Sequence, residues 1–277
     1  MPERKSFLIT LVVVLTALMV SPSLTGGAEG RRAGQNATDL DPDFRPHLGT
    51  SHYLFELNGI NVGTGWITLE RDGDRYRMSY EARTNSRIDR LYRARYRGEG
   101  VMETDPLKPL KARLHQHVRS KTKDIAISFD GKKGRIITTE TQIEEGEEPE
   151  REVRETRAGG TVLDPFSTVL LLQGVDWELG KEKVFEVYTG SNHYEARFTC
   201  VDKTDLGDGD DPMPAWVITG QSRKLDEDPD EDRGKESPSV RIYVAAEGYP
   251  DVLRVETTRR IGRITLTLVE FEPAREG

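Results

Sequence analysis

The sequence contains a single cysteine, Cys200, and has no excess of basic residues. One cysteine excludes an internal disulfide framework and a zinc site built only from thiolates. The 40 lysines and arginines are outnumbered by 48 aspartates and glutamates, which gives a formal net charge of -8 at pH 7. A chain with this balance has no overall positive field to attract nucleic acid, so we expect no nucleic-acid partner.

The chain also lacks the short motifs of common catalytic and cofactor chemistries. It has no G-x-S-x-G nucleophile turn, no phosphate-binding glycine loop followed by Lys-Ser or Lys-Thr, and no dinucleotide fingerprint. Cys200 shares a predicted strand face with Tyr194, Ala196 and Phe198, which is typical of a small buried side chain. We therefore predict no enzymatic activity, no catalytic residue and no cofactor.

A long membrane span is missing as well. The longest apolar run extends from Phe7 to Val20 and counts 14 residues, whereas a bilayer span needs about 20. Arg4 and Lys5 precede this run and small or helix-breaking residues follow it, a layout typical of a secretory signal peptide. We predict a signal peptide over residues 1–28 and, after its removal, a periplasmic protein that does not span the membrane.

What the sequence does contain is strand periodicity. Tyr53, Phe55 and Leu57 alternate with polar residues and are followed by the turn signal Asn58-Gly59, and similar short segments continue to the C-terminus. Short turns between consecutive strands favour antiparallel pairing. We predict an all-β protein, an antiparallel meander that forms an open or closed barrel. Residues 29–50 are predicted as a flexible lead-in, and residues 51–277 as one exported domain.

One segment breaks the alternation and predicts a short helix packed against the concave face of the sheet. Asp164 can cap it, Pro165 suits its first position and Gly174 its end, and the residues between are almost all apolar. Residues 144–155, 205–214 and 225–236 are acidic and lack apolar periodicity, so we predict that they are surface loops inserted between strands.

Several short motifs, in order along the chain, resemble an exported bacterial family known as domain of unknown function 3108. The resemblance covers about residues 51–270 and rests on Tyr53 with Gly59-Ile60-Asn61-Val62-Gly63, Ile88-Asp89-Arg90-Leu91-Tyr92, Leu107-Lys108-Pro109, Phe129-Asp130, Asp164-Pro165-Phe166-Ser167, Tyr249-Pro250 and Gly262-Arg263-Ile264. It implies an all-β exported domain. It implies no catalytic residue, because the family as a class has no known activity. The tryptophan often found where Tyr243 stands is absent.

The aromatic residues of the predicted strands and helix suggest a binding cavity. A curved sheet of this strand number can enclose one small apolar ligand. Our candidates for cavity-lining residues are Tyr53, Phe55, Trp66, Tyr80 and Phe166. We therefore predict an envelope protein that binds a hydrophobic or amphiphilic molecule, such as a lipid. A domain with no cavity has the same sequence pattern, and so that alternative stays open.

A basic strand offers a second functional interpretation. Between residues 92 and 97, Arg93, Arg95 and Arg97 share one face and aromatic residues the other. Arginine matches phosphate and carboxylate groups, so this face predicts an interaction or scaffold module that docks an anionic envelope component.

Two weaker patterns concern metals and membranes. His115 and His117 share a strand face, but Arg113 and Arg119 lie on the same face and no third ligand is identifiable. The aspartates of residues 205–211 lack the register of a calcium-binding loop. We predict no metal site. An outer-membrane barrel is disfavoured because the face opposite Ile264 and Leu266 carries threonines.

Overall fold

The computed structural model describes residues 44–158, 160–207, 212–225 and 239–274. The predicted signal peptide and most of the predicted lead-in lie outside these residues. Fifteen strands and two helices make up the described part. The strands are β1 (Gly49–Leu57), β2 (Ile60–Asp72), β3 (Arg75–Thr84), β4 (Ala94–Thr104), β5 (Leu107–Val118), β6 (Lys121–Asp130), β7 (Arg135–Glu144), β8 (Glu150–Arg157), β9 (Val162–Leu163), β10 (Glu182–Tyr188), β11 (His193–Leu206), β12 (Met213–Lys224), β13 (Val240–Ala245), β14 (Val252–Arg259) and β15 (Gly262–Pro273). The helices are α1 (Ser86–Asp89) and α2 (Pro165–Gln173).

All fifteen strands belong to one curved sheet. Its order runs from β8 down to β1, continues through β15, and then runs down from β14 to β9. Two meanders are thus joined where β1 pairs with β15, and among the described strands only β9 and β10 pair in parallel. The predicted all-β antiparallel meander with one packed helix is confirmed.

The strands follow from period-two burial. In β3, Tyr76, Met78, Tyr80 and Ala82 are buried, whereas the arginines at positions 75, 77 and 83 are exposed. Every second side chain of a strand faces the same side of the sheet, so this alternation places one apolar face inside the curve. The resulting core is continuous across the sheet and includes α2.

One of the predicted acidic loops is wrong in part. The sequence pattern predicts a loop over residues 144–155, but β8 is a strand that pairs with β7. Most of β8 is exposed, because it lies at an edge of the sheet and buries neither face well. Cross-strand ion pairs such as Arg135–Glu155 replace apolar alternation there, and an apolar pattern therefore cannot reveal the strand. Residues 208–211 and 226–236 of the other two predicted loops lie outside the described residues.

Helix α2 is buried inside the curve of the sheet. Asp164 accepts a hydrogen bond from the Ser167 backbone N–H, 2.8 Å away, and the Ser167 hydroxyl lies 3.0 Å from the Asp164 backbone N–H, which makes a capping box. Phe166 packs on the bare backbone of β4: a Cβ atom added to Gly100 would lie 2.7 Å from its ring. Glycine at this position lets the helix approach the strand closely.

The two edges of the sheet approach each other through side chains. The Thr138 hydroxyl of β7 donates to the Tyr188 hydroxyl of β10 over 3.0 Å, and Tyr188 donates to the Gly190 carbonyl over 3.1 Å. Beside them, Ser191 donates to Glu140 over 3.2 Å. This polar seam gives the open sheet a barrel-like shape without a continuous ring of strand pairing.

Candidate functional site

An inner cavity lies between α2 and the strands β1–β3 and β13–β15. Its volume is about 60 Å³. Most of its wall is apolar, with Ile67, Leu69, Met78, Val169, Leu172, Ile242, Val252, Val255 and Leu266 contributing side chains. Tyr53, His47, Asp251 and Gln173 add the polar groups, and they lie toward one end of the barrel. The cavity is thus an apolar chamber with polar residues at its mouth.

An outer hollow of about 310 Å³ adjoins the inner cavity at the C-terminal end of α2. Aromatic and charged side chains line it, including Trp177, Trp216, Tyr249, Arg45 and Asp176. The Trp177 indole N–H donates to the Leu172 carbonyl over 2.8 Å, which ties this wall to the last turn of α2. The outer hollow is therefore larger and more polar than the inner cavity.

Three chain segments contribute residues to the walls of both spaces. Gln173 lines both of them, and it is the last residue of α2. Pro250 lines the outer hollow, and the next residue, Asp251, lines the inner cavity. In the same way, Arg45 lines the outer hollow and His47 lines the inner cavity. A thin layer of side chains centred on Gln173, His47 and Asp251 therefore separates an apolar chamber from a polar one.

Residues 44–48, which we call the strap, cross the mouth of the inner cavity before β1 begins. The His47 imidazole lies between two aromatic rings, with centroid distances of 3.8 Å to Tyr249 and 3.4 Å to Phe271. Its Nδ1 lies 2.8 Å from Asp251 Oδ2. Phe44 and Leu48 pack against the apolar core. The strap is therefore held by stacking, by one polar contact and by apolar packing.

The polar groups at the mouth have an environment of low polarity. Burial raises the pKa of Asp251, and the hydrogen bond with His47 partly offsets this effect. Burial also raises the pKa of Tyr53, whose hydroxyl donates to the Val252 carbonyl over 2.9 Å. Tyr53 therefore stays neutral at physiological pH and offers no charge to a ligand.

The structure places the five predicted cavity residues in three different surroundings. Tyr53 lines the inner cavity. Phe55, Tyr80 and Phe166 are buried in the core, where Tyr80 and Phe166 lie 5.6 Å apart between ring centroids. Trp66 is on the outer face of β2, below the Arg83 guanidinium, which is 5.4 Å from its ring centroid. Of the five, only Tyr53 is therefore at the described cavity wall.

The three predicted partner-binding arginines are not equally exposed. Arg95 is held by Asp89, with 2.9 Å between Nη1 and Oδ1, and the same hydrogen bonds lower the pKa of Asp89 to about 2. Arg97 lies 3.3 Å from Glu81. Arg93 is exposed in the turn before β4. The structure thus separates Arg93 from the two ion-paired residues.

The histidines of β5 contact different partners. His115 lies 2.7 Å from Asp124, and His117 lies 2.9 Å from Thr122, both on the neighbouring strand β6. Within the described ranges, no three histidine, cysteine, aspartate or glutamate residues are grouped as metal ligands would be. His193 is 3.4 Å from Glu186, and neither residue lines the inner cavity or the outer hollow.

Asp164 is a buried carboxylic acid at the N-terminal end of α2. Burial raises its pKa to about 6, and the hydrogen bonds from Ser167 and the Phe166 backbone oppose that rise. No hydrogen-bond partner reaches its Oδ2 atom among the residues described. The capping role predicted for Asp164 accounts for its Oδ1 atom.

The residues that form the mouth could not be identified from sequence patterns. His47 lies in the predicted lead-in, and Gln173 and Asp251 lie at the ends of elements, where periodicity carries no information. The dipeptide Tyr249-Pro250 was one of the family landmarks, and it offered the single sequence signal that pointed to this region.

Comparison with one solved structure agrees with this architecture. The structure resembles the crystal structure of a beta-barrel-like protein of domain of unknown function DUF1849 from Brucella abortus, with a TM-score of 0.58, 9% identity, and 84% of this chain and 100% of that chain covered. It also matches the hypothetical lipoprotein YmcC from Escherichia coli K12, with a TM-score of 0.30, 8% identity, and 86% and 94% covered. Curated proteins gave no match.

The sequence comparison assigns the family. The model of the family "Protein of unknown function (DUF3108)" matches residues 51–269, which include fourteen of the fifteen strands in full or nearly in full and both helices. In the described part of the chain, neither helix is long and apolar enough to cross a membrane. The resemblance recognised in the short motifs is confirmed, and the chain belongs to the DUF3108 family.

Proposed function

We propose that this protein is a non-catalytic, exported carrier that holds a hydrophobic or amphiphilic molecule in its barrel. The observation that carries this proposal is the pairing of an apolar inner cavity with a polar outer hollow across a thin layer of side chains. An amphiphile has the same two parts. Its apolar chain fits the inner cavity, and its polar group fits the outer hollow.

The two volumes indicate the shape of the ligand. The inner cavity of about 60 Å³ is smaller than the roughly 150 Å³ cavity that holds a benzene molecule, so it admits a slender alkyl chain rather than a ring. The outer hollow of about 310 Å³ lies at the lower end of the roughly 300–1,000 Å³ that is usual for ligand pockets. Gln173 lines both spaces, so a rotation of its side chain would join them.

Two further observations support a carrier. The strap lies outside the sheet, so the contacts of His47 at the mouth can open without unfolding a strand. His193 and Glu186 form a histidine–carboxylate contact of 3.4 Å, and they line neither of the two spaces. Export to the periplasm rests on the signal-peptide pattern of residues 1–28.

Native mass spectrometry of protein purified from its own cell envelope tests this function. We expect a fraction of the protein to carry one amphiphile that organic solvent releases. The matched variant is Val169→Phe, which fills the inner cavity from α2 and should purify without the adduct. Ligand-free wild-type protein, or equal adducts on both proteins, would contradict the proposal.

A further inference from the structure

The end of the barrel opposite the strap is formed by four neighbouring turns, three of which contain arginine. They are residues 58–61, 85–93, 118–121 and 259–263, and we call them together the arginine end. The strap and the inner cavity's mouth lie where β1 starts, whereas the arginine end lies where β1 finishes. The two surfaces therefore face in opposite directions.

Hydrogen bonds between the turns make the arginine end one surface. The Asn85 side-chain amide donates to the Asn61 carbonyl over 2.8 Å, which joins the first two turns. The Arg119 backbone N–H donates to the Arg93 carbonyl over 3.0 Å, which joins the second and third. On the other side, the Arg263 backbone N–H donates to Asn58 Oδ1 over 2.9 Å. The four turns are therefore held in fixed positions relative to each other.

The charge of this surface is mainly positive. The four turns contain eight basic residues and one acid, Asp89, which pairs with Arg95. Seven of the basic side chains are exposed, and these are Arg87, Arg90, Arg93, Arg119, Lys121, Arg260 and Arg263. This concentration of arginine contrasts with the net charge of -8 of the whole chain. It makes a local positive field directed along the barrel axis.

Two apolar side chains project from the same turns. Leu91 is 80% exposed and Ile60 is 67% exposed. Leu91 lies in the turn between α1 and β4, and Ile60 is the first residue of β2, directly after the Asn58-Gly59 turn. The Arg119 guanidinium lies 4.6 Å from the Tyr92 ring centroid, so an amphipathic aromatic ring also belongs to this surface. The arginine end thus combines protruding apolar tips with surrounding positive charge.

We propose that the arginine end docks on an anionic lipid bilayer. Ile60 and Leu91 enter the boundary between headgroups and acyl chains, and the arginines bind lipid phosphates, which match the guanidinium fork. A bilayer fits better than a protein partner, because a protein interface buries its apolar residues in a continuous central patch. This inference goes beyond the carrier function and does not depend on the inner cavity.

An acidic turn limits the docking surface on one side. Residues 145–150 contain exposed glutamates, and the Glu145 backbone N–H donates to the Ser120 carbonyl over 3.2 Å. An anionic bilayer repels this turn, so the docked barrel tilts toward β1–β4. In this orientation the strap and both ligand spaces face away from the lipid surface.

Vesicle sedimentation tests the proposal with wild-type protein and phosphatidylcholine vesicles, either pure or mixed equally with phosphatidylglycerol. We expect binding to the anionic vesicles only, with loss of binding as salt rises from about 0.1 M to about 1 M. Arg90→Glu with Arg93→Glu should weaken binding at least about 25-fold, since each arginine near such a surface contributes about a fivefold increase. Ile60→Asp with Leu91→Asp should weaken it at least about tenfold.

Matched controls change the same residue types at the strap end. Arg75→Glu with Lys132→Glu alters the charge equally, and Leu179→Asp alters a side chain that is 70% exposed. Both controls should bind as wild type does within about twofold. Folding of every variant is checked by thermal melting. Equal binding to both vesicle types, no binding by wild type, or equal losses in variants and controls would overturn the proposal.

Tryptophan fluorescence gives a second readout of docking, and it does not require a variant that is less stable. The tryptophan emission of Leu91→Trp should shift to shorter wavelength when anionic vesicles are added, because its indole enters the bilayer interface. Leu179→Trp, at the other end of the barrel, should show no change. A shift in Leu179→Trp but not in Leu91→Trp would place the lipid contact at the wrong end.

Discussion

His47 lies flat against Tyr249, with 3.8 Å between the ring centroids and 5° between the ring planes. The contact joins the strap to the β13–β14 turn, two segments that are about 200 residues apart in the chain. Asp251 adds a polar contact to the same imidazole. His47 therefore supplies the aromatic and polar contacts of the strap at the mouth of the inner cavity, while Phe44 and Leu48 add apolar packing.

Replacement of His47 by alanine should loosen the strap without unfolding the barrel. The substitution removes both ring contacts and leaves the partly buried Asp251 carboxyl without its partner, which costs about 1–3 kcal/mol. Backbone amides of residues 44–49 should then exchange about 5- to 150-fold faster in hydrogen-exchange mass spectrometry. His115→Ala, on the outer face, serves as the control and should leave this exchange unchanged. Unaltered exchange in His47→Ala would show that the strap is held by other contacts.

Asp164 should make stability depend on pH in a defined direction. Because burial raises its pKa to about 6 from 3.8, the folded protein binds this proton more tightly than the unfolded chain does. The stabilisation is complete below the unfolded pKa and is lost as the pH rises through about 6. Asp164→Asn is neutral at every pH and lacks this dependence.

Urea unfolding at about pH 4 and about pH 7.5 measures the effect of Asp164. The stability of Asp164→Asn relative to wild type should improve by up to roughly 3 kcal/mol at the higher pH. Asp72→Asn, an exposed change at the last residue of β2, should show no comparable shift. The same relative stability of Asp164→Asn at both pH values would contradict the assignment.

Gly100 should resist substitution because Phe166 occupies the space of its missing side chain. An added Cβ would lie 2.7 Å from Phe166 Cγ and 2.8 Å from Phe166 Cβ, so α2 or β4 has to move. We expect Gly100→Ala to lower the free energy of unfolding by about 1–3 kcal/mol. Gly131→Ala, where nothing lies within 4 Å, should change it by less than about 0.5 kcal/mol. Equal values for the two variants would argue against this packing.

Tyr188 should stabilise the polar seam between the two edges of the sheet. Tyr188→Phe removes the hydroxyl that accepts from Thr138 and donates to the Gly190 carbonyl, and it leaves both buried groups unsatisfied. We expect a loss of about 1–3 kcal/mol in urea unfolding. Tyr243→Phe removes a weaker contact with Glu256, 3.3 Å long and partly exposed, and should cost less. A larger loss in Tyr243→Phe would mean that the seam contributes little.

Much of the fold was predictable because strands with one buried face leave a strong pattern. Tyr76, Met78 and Tyr80 alternate with polar residues, and Asp164, Pro165 and Gly174 mark both ends of α2. The edge strand β8 was missed because its stability comes from pairing with β7 and from ion pairs. Helix α1 was missed because four residues are too few to show a helical period.

The candidate site was much less predictable. The choice of aromatic residues as cavity candidates identified Tyr53, but the same reasoning selected Trp66, whose place in β2 gives it the outer face. The inward-facing residues of β2 include Gly65 and Leu69, and Trp66 alternates with them, so a choice by residue type alone misassigned its face. His47, Gln173 and Asp251 meet only through the tertiary fold, so no local pattern relates them.

The most direct test of the carrier function is a titration of delipidated protein with a fluorescent fatty acid. Wild-type protein should bind about one probe per chain in a saturable manner. Val169→Phe should bind at least about tenfold more weakly, because its ring occupies the inner cavity. Val201→Phe makes the same change on an exposed position of β11 and should bind as wild type does. Absence of saturable binding to wild-type protein, or equal binding by Val169→Phe, would contradict the account.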